Sequence, residues 1–218
     1  MNIDEFIHCI YLPPFQEDYI AAKHFYMSSD AKHDIPSKLP TERTDYESHV
    51  KNINDAFPNK MMLLLQQNSR LMEDNLLDYY HYNLGFNKFC VGSYEQAKVL
   101  REKYPSCEIV GSITLKIMPK DLEDTKYEIF DKFVLWFPYN RNLPQIKLLP
   151  KKYEYILLVN CDCSIYCNGT HHWLAQTPEE ERRSRCPKEH NNAKYEDIIL
   201  VVPRDLIVFE PYISYFKL

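Results

Sequence analysis

Short apolar runs alternate along the chain with longer amphipathic segments. The apolar runs are continuous, whereas strands with one wet face alternate apolar and polar residues, so they are typical of parallel strands covered on both faces. Strands are predicted over residues 6–12, 60–66, 87–91, 107–114, 132–137, 154–160, 197–202 and 212–218.

The segments between these runs have the period of helices. The clearest is SYEQAKVLREKY, in which Ser93 is the predicted cap and Ala97, Leu100 and Tyr104 fall on one face. Further helices are predicted over RTDYESHVKNINDAF, RLMEDNLLDYYHYNLG (ending at Gly85), PKDLEDTKYEIF, the short LPQIKLL, and a segment beginning TPEEERR.

Eight strands interleaved with helical connections predict an α/β fold, a (β/α)8 TIM-like barrel of eight parallel strands whose last helix is missing. A doubly wound open sheet is the alternative. We expect one barrel domain over residues 1–218. The irregular stretch 13–41 is expected to be a long first βα loop or a lid.

Barrel enzymes build their sites where strands run out into the following loops. Polar side chains follow several of the predicted strands. They are Gln66 and Gln67 after the second strand, Ser93 after the third, Lys116 after the fourth, and Tyr139, Asn140 and Arg141 after the fifth. Gln66, Gln67, Asn140 and Arg141 are predicted to bind substrate. The glutamines are equally suited to capping the strand end, and Arg141 to pairing with a nearby acid.

The sixth predicted strand ends in the richest group of reactive residues, LLVNCDCSIYCNGTHHW. Thiolates and imidazoles gathered in this way suit a soft metal, either tetrahedral zinc or an iron-sulfur cluster. The candidate ligands are Cys161, Cys163, Cys167, His172 and Cys186. The alternative is that some of these cysteines are small buried hydrophobic residues, the role we expect for Cys9, Cys90 and Cys107 inside strands.

Composition and charge argue against a nucleic-acid-binding, membrane-spanning or exported protein. The net charge of −5 lacks the basic footprint of a nucleic-acid binder. Acidic residues precede the first apolar run, and no run approaches the roughly 20 residues needed to cross a bilayer. Seven cysteines without an export signal predict free thiols or metal ligands in a cytoplasmic protein with no membrane partner.

Several of these segments together resemble the U32 peptidase family, the collagenase-like proteases. The sixth strand and its Cys-rich end are similar to a family signature carried here by Asn160, Cys163, Cys167, His172 and Trp173, and the next family cysteine resembles Cys186. FNKFCVGSYEQAKVLREKYPSCEIVGSIT, PYNRNL and VVPRDLIVFEPYISYFKL also fit the family. The resemblance extends from about Asn59 to the last residue.

The resemblance implies a TIM-like barrel that holds a [4Fe-4S] cluster and acts in oxygen-independent hydroxylation or as a protease-like enzyme. A small molecule, a peptide or a modified base is the implied substrate. The chain departs from the family pattern after Leu218, where a Gly-Arg pair and a later cysteine are expected, so it resembles a shortened member. Cys161 or His172 is the candidate for the fourth cluster ligand.

Two classes of function follow. In the first, an enzyme holds the cluster above the barrel mouth; hydroxylation is favoured over peptide hydrolysis because no nucleophile with a base and an orienting partner is evident. In the second, a non-catalytic barrel is stapled by zinc and acts as a binding or scaffold module. If the barrel does not close alone, its exposed edge strands are expected to pair with a second copy or a partner chain.

Overall fold

The computed structural model describes residues 9–12, 42–65, 74–136, 139, 142–164, 198–200 and 203–217. The predicted loop or lid over residues 13–41 and the helix beginning TPEEERR lie outside these ranges. The strands are β1 (Ile10–Leu12), β2 (Met61–Leu65), β3 (Lys88–Val91), β4 (Glu108–Gly111), β5 (Lys132–Val134), β6 (Glu154–Leu158), β7 (Asn160–Ser164), β8 (Ile198–Leu200) and β9 (Tyr215–Lys217). The α-helices are α1 (Arg43–Ala56), α2 (Asp74–Asp78), α3 (Tyr94–Lys103) and α4 (Leu143–Ile146).

Seven parallel strands form one sheet, in the order β1-β2-β3-β4-β5-β6-β9. The order follows the chain without the reversal that defines a doubly wound sheet, so the α/β class and the barrel-type order are confirmed. The described strands do not include an eighth parallel member.

The prediction that residues 197–202 form a strand of the parallel sheet was wrong. The described part of this segment, β8, pairs antiparallel with β7 in a separate two-stranded sheet, and β9 takes the place beside β6. A continuous apolar run predicts an extended buried segment, but it does not encode which strand will be its partner. The position of a strand in the sheet is therefore not readable from DIILVV alone.

The chain divides into two compact units, one of Met1–Val91 with Glu95–Ile109 and one of Gly92–Tyr94 with Val110–Leu218. In the first unit, four of the five residues of β2 are buried, with Met62 and Leu63 fully inaccessible to solvent and Leu64 half-buried. Burial on both faces is what its uninterrupted apolar sequence predicts. Helix α1 buries Tyr46 and Val50, and the Tyr46 ring centroid lies 6.2 Å from that of Tyr80.

The helix predicted to end at Gly85 begins as α2 and continues as a π-helix over Tyr79–Asn83. The wider turn is marked by the Leu84 N–H, which donates to the Tyr79 carbonyl at 3.2 Å. Gly85 has a φ of +77°, the left-handed conformation that commonly ends a helix, so its role as the stop is confirmed. In α3 the predicted apolar face is also confirmed, because Ala97, Leu100 and Tyr104 are all buried.

In the second unit, the α-helix predicted over PKDLEDTKYEIF is instead two short 3-10 helices, Pro119–Glu123 and Thr125–Ile129. Asp124 separates them. Its backbone is extended, and its carboxylate accepts a hydrogen bond from the Lys126 N–H at 3.0 Å. A local side-chain cap of this kind competes with a continuous helical ladder, which explains the break.

Alternation along β5 sorts the side chains of the second unit onto two faces of the sheet. Phe133 points into an aromatic layer with Phe130 and Tyr153, whose ring centroids each lie 5.1 Å from its own. The neighbouring strand makes room with Gly111, where an added Cβ would lie 2.5 Å from Phe133 Cδ1. Lys132 and Val134 occupy the opposite face.

No helix in the described ranges is long and apolar enough to cross a membrane.

Candidate functional site

The structure places two of the predicted metal ligands, Cys161 and Cys163, on the backbone of β7. Cys167, His172 and Cys186 lie outside the described residues, as do the predicted substrate-binding residues Gln66, Gln67, Asn140 and Arg141. Both site predictions therefore stay predictions. Within the described part of the chain, no three His, Cys, Asp or Glu residues are grouped so that they would hold a metal ion.

The Cys-rich segment starts at the carboxyl end of a parallel strand. Only Val159 separates β6 from β7, and its N–H still donates to the Lys217 carbonyl of β9 at 2.9 Å. The chain thus leaves the parallel sheet directly into the strand that carries Cys161 and Cys163. This segment was predicted to be a loop, but its described start is an extended strand paired with β8.

Three further described cysteines, Cys9, Cys90 and Cys107, belong to the first unit. Cys90 and Cys107 are buried in the first unit, which confirms the prediction that they are core residues. Cys9 is only partly buried. Cys9 contributes to the electrostatic environment of Tyr11, although burial is the main reason why the pKa of the Tyr11 phenol is raised far above its usual range.

Lys116, on the loop after β4, has a left-handed backbone conformation. Its φ is +48° and its ψ is +41°, and it caps the 3-10 helix Ile113–Leu115 with an N–H donated to the Ile113 carbonyl at 3.1 Å. Glycine or asparagine usually occupies such a position, because other side chains are strained there by about 1 kcal/mol or more. A lysine at this point is therefore an outlier that invites a functional explanation.

The ammonium group of Lys116 lies over the indole of Trp136, with Nζ 4.8 Å from the ring centroid. Trp136 follows β5, and the Leu135 N–H donates to the Ile156 carbonyl at 2.8 Å, so the sheet register continues past Val134. By that register Trp136 is level with Leu158, which pairs with Lys217 in β9. We call Lys116, Trp136, Leu158 and Lys217 the carboxyl-edge cluster.

Tyr139 lies near this cluster in sequence but is closed to solvent. It is buried, and its hydroxyl donates to Met118 Sδ at 3.5 Å. Burial, with a smaller contribution from the Asp121 carboxylate, raises the pKa of Tyr139 to about 12. A phenol with that pKa stays protonated at neutral pH and acts as a hydrogen-bond donor, not as a base.

The amino ends of the same strands carry a different arrangement, the amino-edge pair of Lys132 and Glu154. Lys132 is buried, and its Nζ lies 3.1 Å from Glu154 Oε2. The same ammonium lies 4.7 Å from the centroid of the Tyr215 ring. The positive charge of Lys132 is therefore neutralised inside the structure.

Sequence reasoning placed Lys116 at a strand end but did not assign it a role, and it overlooked Trp136. Two signals were present in the sequence. The run KFVLWF ends in a tryptophan, the side chain best suited to hold a cation, and a lysine follows shortly after the neighbouring strand. The left-handed conformation of Lys116 carried no sequence signal, because lysine is not a residue that predicts it.

The fold is similar to that of a solved protein, the U32 peptidase Mk0906. The two chains superpose with a TM-score of 0.60 at 14% sequence identity, over 96% of this chain and 83% of Mk0906. No protein-family model matches this sequence, and neither does a curated protein. At such low identity the likeness shows a shared fold alone.

Proposed function

We propose that this protein is a U32-peptidase-like enzyme with its active site at the carboxyl ends of the parallel strands, where a thiolate-ligated metal centre is bound. One observation supports this most. The sheet strand β6 continues, after a single residue, into the strand that bears Cys161 and Cys163. Enzymes with parallel α/β sheets place their chemistry at this end of the strands.

The donor set fits a soft metal. In this proposal Cys163, Cys167 and Cys186 provide three thiolates, and Cys161 or His172 completes the set, in a [4Fe-4S] cluster or, as the alternative, a zinc site. When bound, the cluster would supply electron transfer at a potential tuned by burial and by hydrogen bonds to its sulfurs. The core cysteines Cys90 and Cys107 take no part.

The chain's own residues bind and orient the substrate. Gln66, Gln67, Asn140 and Arg141 follow the second and fifth strands and are proposed to donate hydrogen bonds to it. Trp136, level with Leu158 at the carboxyl end of the sheet, is proposed to provide an apolar wall, and water exclusion there would strengthen each polar contact. Oxygen-independent hydroxylation of a small molecule or a modified base is the reaction class we favour, ahead of peptide hydrolysis.

A second candidate is a non-catalytic module in which zinc staples the β7–β8 arm. The observation that favours it is the arm itself, a two-stranded antiparallel sheet separate from the parallel one. So small an element is marginally stable alone and would gain most from a structural metal. A saturated zinc site leaves no open coordination position, so this candidate predicts a binding protein without redox chemistry.

Anaerobic purification followed by iron, sulfide and zinc analysis tests both candidates. The enzyme proposal predicts a brown protein with about four irons and four sulfides per chain, as a [4Fe-4S] cluster requires. Stoichiometric zinc without sulfide supports the scaffold instead. Cys163→Ala is expected to abolish metal binding, whereas the matched variant Cys107→Ala, at a buried core thiol, keeps it. Equal metal content in both variants would exclude Cys163 as a ligand.

A further inference from the structure

We infer that Met118 is an oxidation site for peroxides, at which the folded protein forms a single epimer of methionine sulfoxide because Tyr139 covers one side of the sulfur atom. This modification site goes beyond the proposed function and does not depend on the metal centre. Three observations support it: the exposure of Met118, the hydrogen bond that its sulfur accepts from Tyr139, and the backbone contacts that hold both residues in place.

Exposure separates Met118 from the other methionines that the structure describes. Met118 is 39% exposed, whereas Met61 and Met62, in β2, are 2% and 0% exposed. A peroxide oxidises a thioether only where it reaches the sulfur atom, so exposure decides which methionine reacts first. Met118 is therefore expected to be oxidised well before the two methionines of β2.

The sulfur of Met118 is in contact with a hydroxyl group. The Tyr139 hydroxyl donates a hydrogen bond to Met118 Sδ at 3.5 Å. Tyr139 is buried, and burial raises its pKa to about 12, so the phenol remains a donor at neutral pH. A thioether sulfur has two lone pairs and is a weak hydrogen-bond acceptor. The contact with Tyr139 engages one lone pair and leaves the other for an approaching peroxide.

Met118 and Tyr139 belong to the segments that follow the neighbouring strands β4 and β5, and each is held by its own backbone. The Met118 N–H donates to Asp121 Oδ2 at 2.9 Å, and the Met118 carbonyl accepts from the Asp121 N–H at 2.9 Å. The Tyr139 N–H donates to the Trp136 carbonyl at 3.0 Å, and the Tyr139 carbonyl accepts from the Asn142 N–H at 2.9 Å. Because both backbones are fixed, the hydroxyl stays on one side of the sulfur.

The oxidation transfers one oxygen atom and two electrons. The remaining lone pair of the sulfur attacks one oxygen of hydrogen peroxide, so that the S–O bond forms while the O–O bond breaks. The other oxygen leaves as hydroxide, which takes the proton of the new S–OH group and becomes water. The sulfur is oxidised and the peroxide is reduced. The sulfoxide is polar and chiral, and attack from the side opposite the hydroxyl gives one epimer.

The modification is reversible. Methionine sulfoxide reductases restore the thioether, and each of the two enzymes accepts one epimer. The reverse step needs a dithiol, which is oxidised to a disulfide while the oxygen leaves as water. A site that forms one epimer is thus restored by one of the two enzymes. Met118 gives the carboxyl ends of the strands, where the metal centre is proposed, a reversible oxidant-sensitive group.

Peptide mapping measures which methionine reacts. Trypsin is expected to release Met118 in residues 117–120, and Met61 with Met62 in residues 61–70, and neither peptide contains a cysteine. With hydrogen peroxide, and a chelator that removes free iron, we expect Met118 to gain an oxygen at least tenfold faster than the methionines of β2. In urea-unfolded protein the rates are expected to become similar. Equal rates in the folded protein would overturn the assignment, and so would a tenfold difference that persisted in urea.

The two sulfoxide reductases, supplied with dithiothreitol, measure the epimers in the released Met118 peptide. We expect one epimer in at least tenfold excess from the folded protein and equal amounts from the protein oxidised in urea. Tyr139→Phe removes the donor and is expected to bring the ratio close to one. The matched control Tyr155→Phe removes another buried tyrosine's hydroxyl, which donates to the Pro150 carbonyl at 2.7 Å, and is expected to keep the excess.

The ratio in the folded wild-type protein tests the inference without any variant. Equal amounts of the two epimers there would refute the role of Tyr139. An excess that remained in folded Tyr139→Phe, or that was lost in folded Tyr155→Phe, would refute it as well.

Discussion

The two ends of the second unit's strands carry similar residues in opposite arrangements. At the amino edge, the Lys132 ammonium is buried between the Glu154 carboxylate and the Tyr215 ring. At the carboxyl edge, the Lys116 ammonium lies over the indole of Trp136. One lysine is held beside a carboxylate, and the other lies on an aromatic ring at a left-handed backbone position.

The difference indicates that the two ends of the strands have different roles. In parallel α/β sheets, the amino ends of strands contribute mainly to stability and the carboxyl ends carry the chemistry. Changes at the amino edge are therefore expected to alter unfolding and to leave metal content intact. Replacement of Lys116 by asparagine is expected to alter unfolding least. The following predictions test that contrast, beginning with the largest effect.

Gly111→Ala, at the end of β4, is expected to lower the free energy of unfolding by about 3 kcal/mol, the upper part of the range for overpacked sites. The added Cβ would lie 2.5 Å from Phe133 Cδ1 and 3.0 Å from Leu115 Cδ1. Urea denaturation measures the loss. Phe133→Leu is expected to relieve part of it in the double variant.

The matched control for Gly111 is Gly85→Asn, because Gly85 has a φ of +77° and its nearest neighbour to an added Cβ is 4.0 Å away. Asparagine tolerates that conformation, so a change below about 1 kcal/mol is expected. If Gly111→Ala were as mild as this control, the carboxyl edge would be loosely packed and its side chains would not be held in place.

Glu154→Ala is expected to cost about 2 kcal/mol, because it removes the carboxylate beside the buried Lys132 ammonium. The value is below that of a fully enclosed pair because 49% of the Glu154 side chain is exposed and water offsets part of the loss. Lys132→Met removes the charge itself and is expected to change stability by less than about 1 kcal/mol. Thermal unfolding of both variants, with the metal content of the purified protein measured alongside, gives the result. A loss of metal in either variant would contradict the separate roles of the two edges.

The decrease in the free energy of unfolding at alkaline pH is expected to depend in part on Tyr139. Its folded pKa of about 12 exceeds the usual tyrosine value of about 10, so the native state keeps a proton that the unfolded chain loses. Its contribution is fully present below about pH 10 and is lost as the pH rises to about 12. Tyr139→Phe is expected to flatten the decline by roughly 1–2 kcal/mol across that interval. An unchanged slope in urea titrations at pH 9, 10.5 and 12 would show that Tyr139 does not titrate in this way.

Replacement of Lys116 by asparagine is expected to have the smallest effect on stability. Lys116→Asn is expected to be neutral or stabilising by about 0.5 kcal/mol, since asparagine adopts the left-handed conformation more readily. Lys116→Val is expected to be destabilising by about 1–2 kcal/mol, because a β-branched residue is most strained there. Differential scanning calorimetry distinguishes them. A large loss in Lys116→Asn would mean that the lysine is structural.

Much of the fold was predictable because its signals are local. Continuous apolar runs identified Met61–Leu65 and Glu154–Leu158 as covered strands, and the period of SYEQAKVLREKY identified α3. The helix stop at Gly85 followed from the freedom of glycine at positive φ. These features depend on residues a few positions apart, which a single sequence displays directly.

Features that depend on distant partners were not predictable in the same way. DIILVV is apolar enough for a parallel strand, yet β8 pairs antiparallel with β7, a choice made by tertiary structure. The contact of Lys116 with Trp136 joins two loops that follow adjacent strands, and it depends on a backbone conformation that lysine rarely adopts. The proposed metal site is predictable only in part. The sequence displays the density of cysteines, but it does not show whether their side chains converge in space.

The central claim is that the cysteines that follow β6 in the sequence bind a metal. X-ray absorption at the metal edge of the anaerobically purified protein tests it most directly. The account predicts a first shell dominated by sulfur at about 2.3 Å, and no bound metal in Cys163→Ala. A shell of nitrogen and oxygen alone, or an identical sulfur shell in Cys163→Ala, would contradict it.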